Sequence, residues 1–138
     1  MPRILVVEDD FGSRVMIQRL LVDYGDTDAV VDGQEAVDAF SLALEEDRRY
    51  DLILMDIMMP KMDGQEALKR IRNIEKDHGI PPAKESIIIM TTALDDPSNV
   101  IEAYAKGGAT SYMVKPMDRL KVRTTLAKVG FKPLIRTP

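Results

Sequence analysis

Four stretches of this chain are apolar without interruption: residues 4–7, 52–55, 87–90 and 112–114. A half-exposed strand alternates apolar and polar positions, so continuous runs of this length predict strands covered on both faces. Residues 29–31 form a weaker fifth candidate. Between the runs the apolar period becomes helical. Ile17, Leu20, Leu21 and Tyr24 lie at i, i+3, i+4 and i+7, predicting a helix that Ser13 can cap and Gly25 can end. A second helix follows Gly33 and buries Val37, Phe40 and Leu44. A third starts near Gly64 and carries Leu68, Ile71 and Ile74. The fourth opens at Asp96-Pro97 and stops at Gly107-Gly108. The last runs from Asp118 to near Gly130, with Leu120, Leu126 and Val129 as its apolar contacts. Residues 78–85, with Gly79 and Pro81-Pro82, read as an exposed loop.

Alternating strands and helices predict an α/β fold of βα units around a parallel sheet. The 138 residues suffice for one domain, placed at residues 1–130, with 131–138 as a frayed or docked tail. In such a sheet, ligands bind beyond the carboxyl ends of the strands. What stands there is chemically pointed. Glu8 and Asp9 follow the first run, Asp56 the third, Thr92 the fourth and Lys115-Pro116 the fifth. With the first strand between the second and third, three carboxylates, a hydroxyl and an ammonium converge on one crevice.

Taken singly, each residue has an ordinary reading. Paired acids after a strand cap the next helix, as Asp10 is placed to do; an aspartate or threonine at a strand end forms turns; a lysine there is a surface lysine. Taken together and in order, they suit a divalent cation and a phosphoryl group. Three close carboxylates repel unless a cation sits among them. Mg²⁺ takes few protein oxygens, retained waters and a phosphate oxygen; Asp9, Asp56 and one backbone carbonyl of the following loop can supply the protein's share. Asp56 is the candidate nucleophile toward phosphorus, with Lys115 screening the incoming charge and Thr92 bonding a phosphoryl oxygen.

Composition narrows the chemistry. Cysteine is absent, which removes disulfides, thiolate nucleophiles and cysteine-bound zinc, and fits a cytoplasmic location. No apolar run approaches the roughly 20 residues of a membrane span. The chain is acidic overall, yet residues 118–138 hold six basic residues against the single acid Asp118. The basic end reads as a solvated helix face and tail, and direct nucleic-acid binding is not expected.

These residues resemble the receiver domain of response regulators in two-component signalling, the CheY-like superfamily. The resemblance is carried by Val6-Val7-Glu8-Asp9, by Leu54-Met55-Asp56-Ile57-Met58-Met59-Pro60, by Met62-Asp63-Gly64, by Thr92-Ala93 and by Lys115-Pro116. It implies a doubly wound, flavodoxin-like three-layer αβα fold with a five-stranded parallel sheet in the order 2-1-3-4-5. It implies phosphorylation on Asp56, and Mg²⁺ held by Asp9, Asp56, the Met58 carbonyl and, through water, Glu8. Thr92 falls on the family's switch hydroxyl, Lys115 on its lysine and Tyr112 on its switch aromatic. The implied donor is a histidine kinase or a histidine phosphotransfer domain. The implied target surface is the face of the fourth helix, fifth strand and fifth helix, on a monomer or a weak dimer formed on phosphorylation. Met58 and Leu94 are apolar where the family influences attack of water on the acyl phosphate, which implies a long-lived phosphorylated state.

Other functions fit less well. A Mg²⁺-dependent phosphohydrolase of the haloacid-dehalogenase kind needs an acid two residues after its nucleophile, where this chain has Met58. The only histidine, His78, lies in the Gly-Pro loop, and no G-x-S-x-G, dinucleotide or Walker motif occurs. A receiver that has lost phosphorylation lacks an acid, the aspartate or the lysine; all are present here. The expectation is therefore a single-domain phosphoacceptor, with a receiver unit of a longer DNA-binding or enzymatic regulator as the alternative.

Overall fold

The computed structural model describes residues 1–92 and 108–134. The elements are β1 (Arg3–Val7), α1 (Phe11–Leu20), β2 (Asp26–Val30), α2 (Gly33–Glu45), β3 (Leu52–Asp56), α3 (Gly64–Asp77), a 3₁₀ turn (Pro82–Lys84), β4 (Ile87–Thr92), β5 (Ser111–Val114) and a C-terminal helix (Arg119–Lys128). All strands are parallel, in the order β2-β1-β3-β4-β5. The fourth helix expected from Asp96-Pro97 lies outside the described residues.

Period-two alternation along the central strands builds two cores. Leu5, Val7, Ile53, Met55, Ile88 and Met90 face α2 and α3, where Phe40, Leu68 and Ile71 meet them. Ile4, Val6, Leu52, Leu54 and Ile89 face the other way, onto Ile17 and Leu21 of the α1 segment and Val122 and Leu126 of the C-terminal helix. Because both faces are covered, neither parity of the strand can be polar. The continuous apolar runs follow from that.

The weak second strand is an edge. It begins at Asp26 rather than Ala29 and ends at Val30 rather than Val31. Its residues are chosen by pairing with β1, from Arg3 opposite Asp26 to Val7 opposite Val30, and not by burial. Charged side chains on an edge also discourage pairing with another chain.

Helix starts follow one device. Asp10, Asp32, Asp63 and Asp118 each accept a hydrogen bond from the backbone N–H three residues on, at Ser13, Glu35, Glu66 and Lys121. Caps of this kind contribute about 1 kcal/mol each. Ser13 thus supplies the amide that is capped and is not itself the cap. Gly25 does not end α1 either, since the helix closes at Leu20 and a turn follows. A side chain at position 25 would put its Cβ 2.4 Å from the Pro2 carbonyl oxygen, so close approach of two backbones demands the glycine. Leu120, expected to pack, is 73% exposed, because the C-terminal helix turns Val122 and Leu126 inward instead. Residues 131–134 dock: Phe131 packs against the second core, and the Leu134 amide donates to the Asp23 carbonyl at 2.7 Å.

Two polar networks lie away from the carboxyl ends of the strands. Buried Glu75 accepts from Arg72 Nη1 at 2.8 Å and from the Ser86 amide at 2.7 Å, and Arg72 also donates to the Ser86 and Gly108 carbonyls. Near the start of the sheet, Tyr50 donates to Asp28 at 2.7 Å, with the Arg3 guanidinium 4.5 Å from its ring centre. Burial first, and then the Asp28 carboxylate, push the Tyr50 phenol up to about 12. The folded state therefore holds a proton that the unfolded chain releases near pH 10. Stability from this group is complete below that pH and is lost as pH rises to about 12. Near-ultraviolet titration should show a late phenol that is missing in Tyr50→Phe; a wild type without one, or a titration unchanged in that variant, would contradict the assignment.

Candidate functional site

Strand register brings the strand-end residues together. Val7 pairs with Met55, so the next residue of each strand sets Glu8 beside Asp56. Thr92 pairs with Val114, and the Lys115 amide donates to the Thr92 carbonyl at 2.8 Å, so the fifth strand delivers its lysine just past β4. The Lys115–Pro116 peptide is cis. From there Lys115 Nζ reaches Glu8 Oε2 at 2.9 Å and Asp56 Oδ2 at 3.1 Å. Oxygens of Glu8, Asp9 and Asp56 all lie within 4.8 Å of one another. Glu8 and Asp56 are buried, at 1% and 6% exposure, while Asp9 sits exposed at the mouth.

Burial raises the Glu8 carboxyl above its ordinary value, the Lys115 hydrogen bond opposes that, and the neighbouring Asp56 charge adds to it. Burial alone would lower the Lys115 ammonium, but the hydrogen bond to Glu8 and the charge of Asp56 outweigh it, so its net displacement is upward. Lys115 accordingly stays charged. One ammonium against three carboxylates leaves the crevice negative, and oxygen donors at this spacing fit a small hard divalent cation.

The loop after β3 folds back over the site. The Met58 amide donates to Asp56 Oδ1 at 3.2 Å, while its side chain is 65% exposed. The Gly64 amide donates to the Ile57 carbonyl, and a Cβ at position 64 would lie 2.3 Å from the Asp56 carbonyl oxygen. Only glycine lets α3 start this close to β3. Thr92 is buried at the end of β4, and Tyr112 on β5 is 40% exposed. Tyr112 pairs with Met90, two residues before Thr92, so the two side chains lie on the same face of the sheet.

One neighbour of the acids escaped the sequence reading. Half-buried Arg14, in the first turns of α1, donates from Nη1 to the Glu8 carbonyl at 3.0 Å and the Asp9 carbonyl at 3.4 Å. The signal was present only indirectly: once Asp10 caps α1, residue 14 lies one turn into the helix, beside the loop it left.

The response regulator receiver domain family matches residues 4–127. The chain belongs to that family. The receiver is 34% identical over 130 residues to the chemotaxis protein CheY of Thermotoga maritima, covering 93% of this chain and 97% of that one. It superposes with TM-score 0.70 and 30% identity on the receiver domain of sensor histidine kinase PA1611 from Pseudomonas aeruginosa, described with a magnesium ion in its active site cleft, over 92% of this chain and 95% of that one. A TM-score of 0.78 at 25% identity, over 94% of this chain and 88% of that chain, relates it to a co-crystal structure from Saccharomyces cerevisiae. That crystal holds the histidine phosphotransfer protein Ypd1 and the receiver domain of the response regulator Ssk1. The receiver spans only 10%, 48%, 29% and 50% of the lengths of four other curated relatives.

The negative crevice carries a stability cost when no cation is bound. Asp9→Asn removes one of its charges at an exposed position and should raise the unfolding midpoint of the metal-free receiver by about 2–5 °C. Calorimetric scans in a chelator check this; an unchanged or lowered midpoint would mean that the acids do not repel one another.

Proposed function

We propose that Asp56 accepts a phosphoryl group from a phosphohistidine donor in a Mg²⁺-dependent reaction, and that the phosphorylated receiver switches a protein-interaction face. The observation that carries this is the single ammonium of Lys115 shared between Glu8 and Asp56 inside a cluster of three carboxylates. An Asp56 carboxylate oxygen attacks phosphorus, the bond to the donor's imidazole nitrogen breaks, and an acyl phosphate forms. Asp9, Asp56 and the Met58 carbonyl would hold Mg²⁺, with Glu8 reaching it through water; the ion supplies charge screening for the phosphoryl oxygens. Lys115 adds a second positive charge, and the Thr92 hydroxyl donates to a phosphoryl oxygen of the product. A receiver of this kind is a phosphoacceptor switch and not an ordinary enzyme, catalysing only its own phosphorylation and slow dephosphorylation.

Readout follows from the shared face of Thr92 and Tyr112. When Thr92 moves toward the phosphoryl group, the partly exposed Tyr112 ring can turn into the space it leaves. The target surface would then include Tyr112, exposed Leu120 and the exposed Arg119 and Arg123, a combination suited to an acidic, partly apolar partner. Lys121 contributes less charge to it than its sequence position promised, because its Nζ bonds the Val114 and Pro116 carbonyls. Ala103 and Lys106, within the span read from the sequence as the fourth helix, would join the same face and lie outside the described residues. We place the receiver in the cytoplasm as a single-domain regulator, as its near-complete span of a chemotaxis protein supports. Its short span of other relatives favours a second reading, a receiver unit within a longer regulator.

Incubation with a small-molecule phosphodonor and Mg²⁺ should add one phosphoryl group, measured by intact mass. The addition should fail in chelator and in Asp56→Asn; undiminished labelling of that variant would sink the assignment. Met58→Asn should lose its phosphoryl group about tenfold faster than the wild type, since an amide can orient the attacking water and a thioether cannot. A wild type that dephosphorylates as fast as this variant would refute the role given to Met58.

A further inference from the structure

Arg14 makes contacts that the reading above does not use. Its guanidinium is bonded to two consecutive carbonyls, those of Glu8 and Asp9, which are the two acids that the first βα loop brings to the crevice. Among the described residues its hydrogen bonds go to these carbonyls and not to the carboxylates. It also lies 5.5 Å from the ring centre of Phe11, one turn earlier in α1. Phe11 is 71% exposed and so gains little from burial, and its ring lies beside the guanidinium.

The physical need for such a clamp is plain from the charges. Oxygens of Glu8, Asp9 and Asp56 lie within 4.8 Å of one another, and repulsion drives them apart whenever no cation is bound. Glu8 and Asp9 sit on the short link between β1 and the Asp10 cap. There the Glu8 amide still donates to the Val30 carbonyl at 3.1 Å and the Asp10 amide to Glu8 Oε1 at 3.2 Å. The carbonyls of the two peptide planes between them, those of Glu8 and Asp9, accept from Arg14. A guanidinium bonded to both carbonyls fixes those planes, and with them the directions of the two side chains. It is permanently charged and can bond two acceptors in one plane, which a lysine ammonium on a mobile stem does less well.

We propose that Arg14, held by Phe11, is a positioning residue that presets Glu8 and Asp9 for divalent-cation binding. The proposal rests on reading the crevice as a Mg²⁺-dependent phosphoacceptor site. Its test is calorimetric titration of Mg²⁺ into the metal-free full chain, for wild type, Arg14→Gln, Arg14→Lys and Phe11→Leu. Unfolding midpoints in chelator are recorded alongside. Both Arg14 variants should bind Mg²⁺ about tenfold more weakly, and Phe11→Leu about threefold more weakly, with metal-free midpoints close to the wild type's. Raising Mg²⁺ to saturation should bring phosphoryl incorporation in Arg14→Lys back to within about twofold of wild type, because positioning alters the cation requirement and not the maximal rate. Arg14→Gln binding as tightly as wild type, or more tightly, would overturn the proposal, since loss of a nearby positive charge alone favours the cation. Wild-type affinity in Arg14→Lys would overturn it too, leaving charge and not geometry as the cause. So would affinity losses matched by collapse of the metal-free midpoint. A wild type that binds no Mg²⁺ would sink the reading of the crevice itself, whereas normal wild-type binding with unaffected variants would sink the clamp alone.

Discussion

Two carboxylates that folding removes from water, Glu8 and Asp56, share one ammonium, and the arrangement of the chain answers to that contact. Burying like charges together is costly unless a counter-charge meets them with good geometry. Here it comes from Lys115, which stands 107 positions from Glu8 and 59 from Asp56 in the sequence. Such a meeting requires that β1, β3, β4 and β5 run parallel and in register, so that their last residues share an edge. Parallel strands need crossovers, the crossover helices cover both faces, and the strands between them become apolar throughout.

Within that frame, residues of one chemical type are given different work by a shift of one position. Glu8 is buried beside Lys115, Asp9 opens to solvent at the crevice mouth, and Asp10 spends its carboxylate on the Ser13 amide in the first turn of α1. Backbone direction changes at each step from strand to loop to helix, so three successive acids meet three different surroundings. The same economy recurs at Asp56 and Asp63, the first closing β3 in the crevice and the second capping α3 at the far end of the loop. Glycine at position 64 lets that helix start against the Asp56 backbone, so Asp56 and the start of α3 are in direct contact.

The residues of the site differ in exposure. Glu8, Asp56 and Thr92 are nearly inaccessible, whereas Met58 and Tyr112 emerge into solvent on either side of them. A buried charged centre thus lies beside exposed side chains. The C-terminal helix beside β5 is basic, although Lys121 is turned back onto the Val114 and Pro116 carbonyls.

Much of this was legible in the residues alone. Continuous apolar runs marked the covered strands, Asp10 and Asp118 marked two of the helix starts, and the order of Glu8, Asp9, Asp56, Thr92 and Lys115 at successive run ends marked the crevice, because each of these signals is local. What needed the tertiary structure was everything decided by a neighbour across space. β2 took its limits from pairing with β1, Gly25 was required by Pro2 and not by its helix, and Leu120 was left exposed because Val122 and Leu126 filled the inner face. Arg14 carried no motif at all, since its partners are backbone carbonyls, which every residue possesses and no sequence displays. The sequence by itself determined which residue types reach the edge of the sheet; packing and register determined which of them meet.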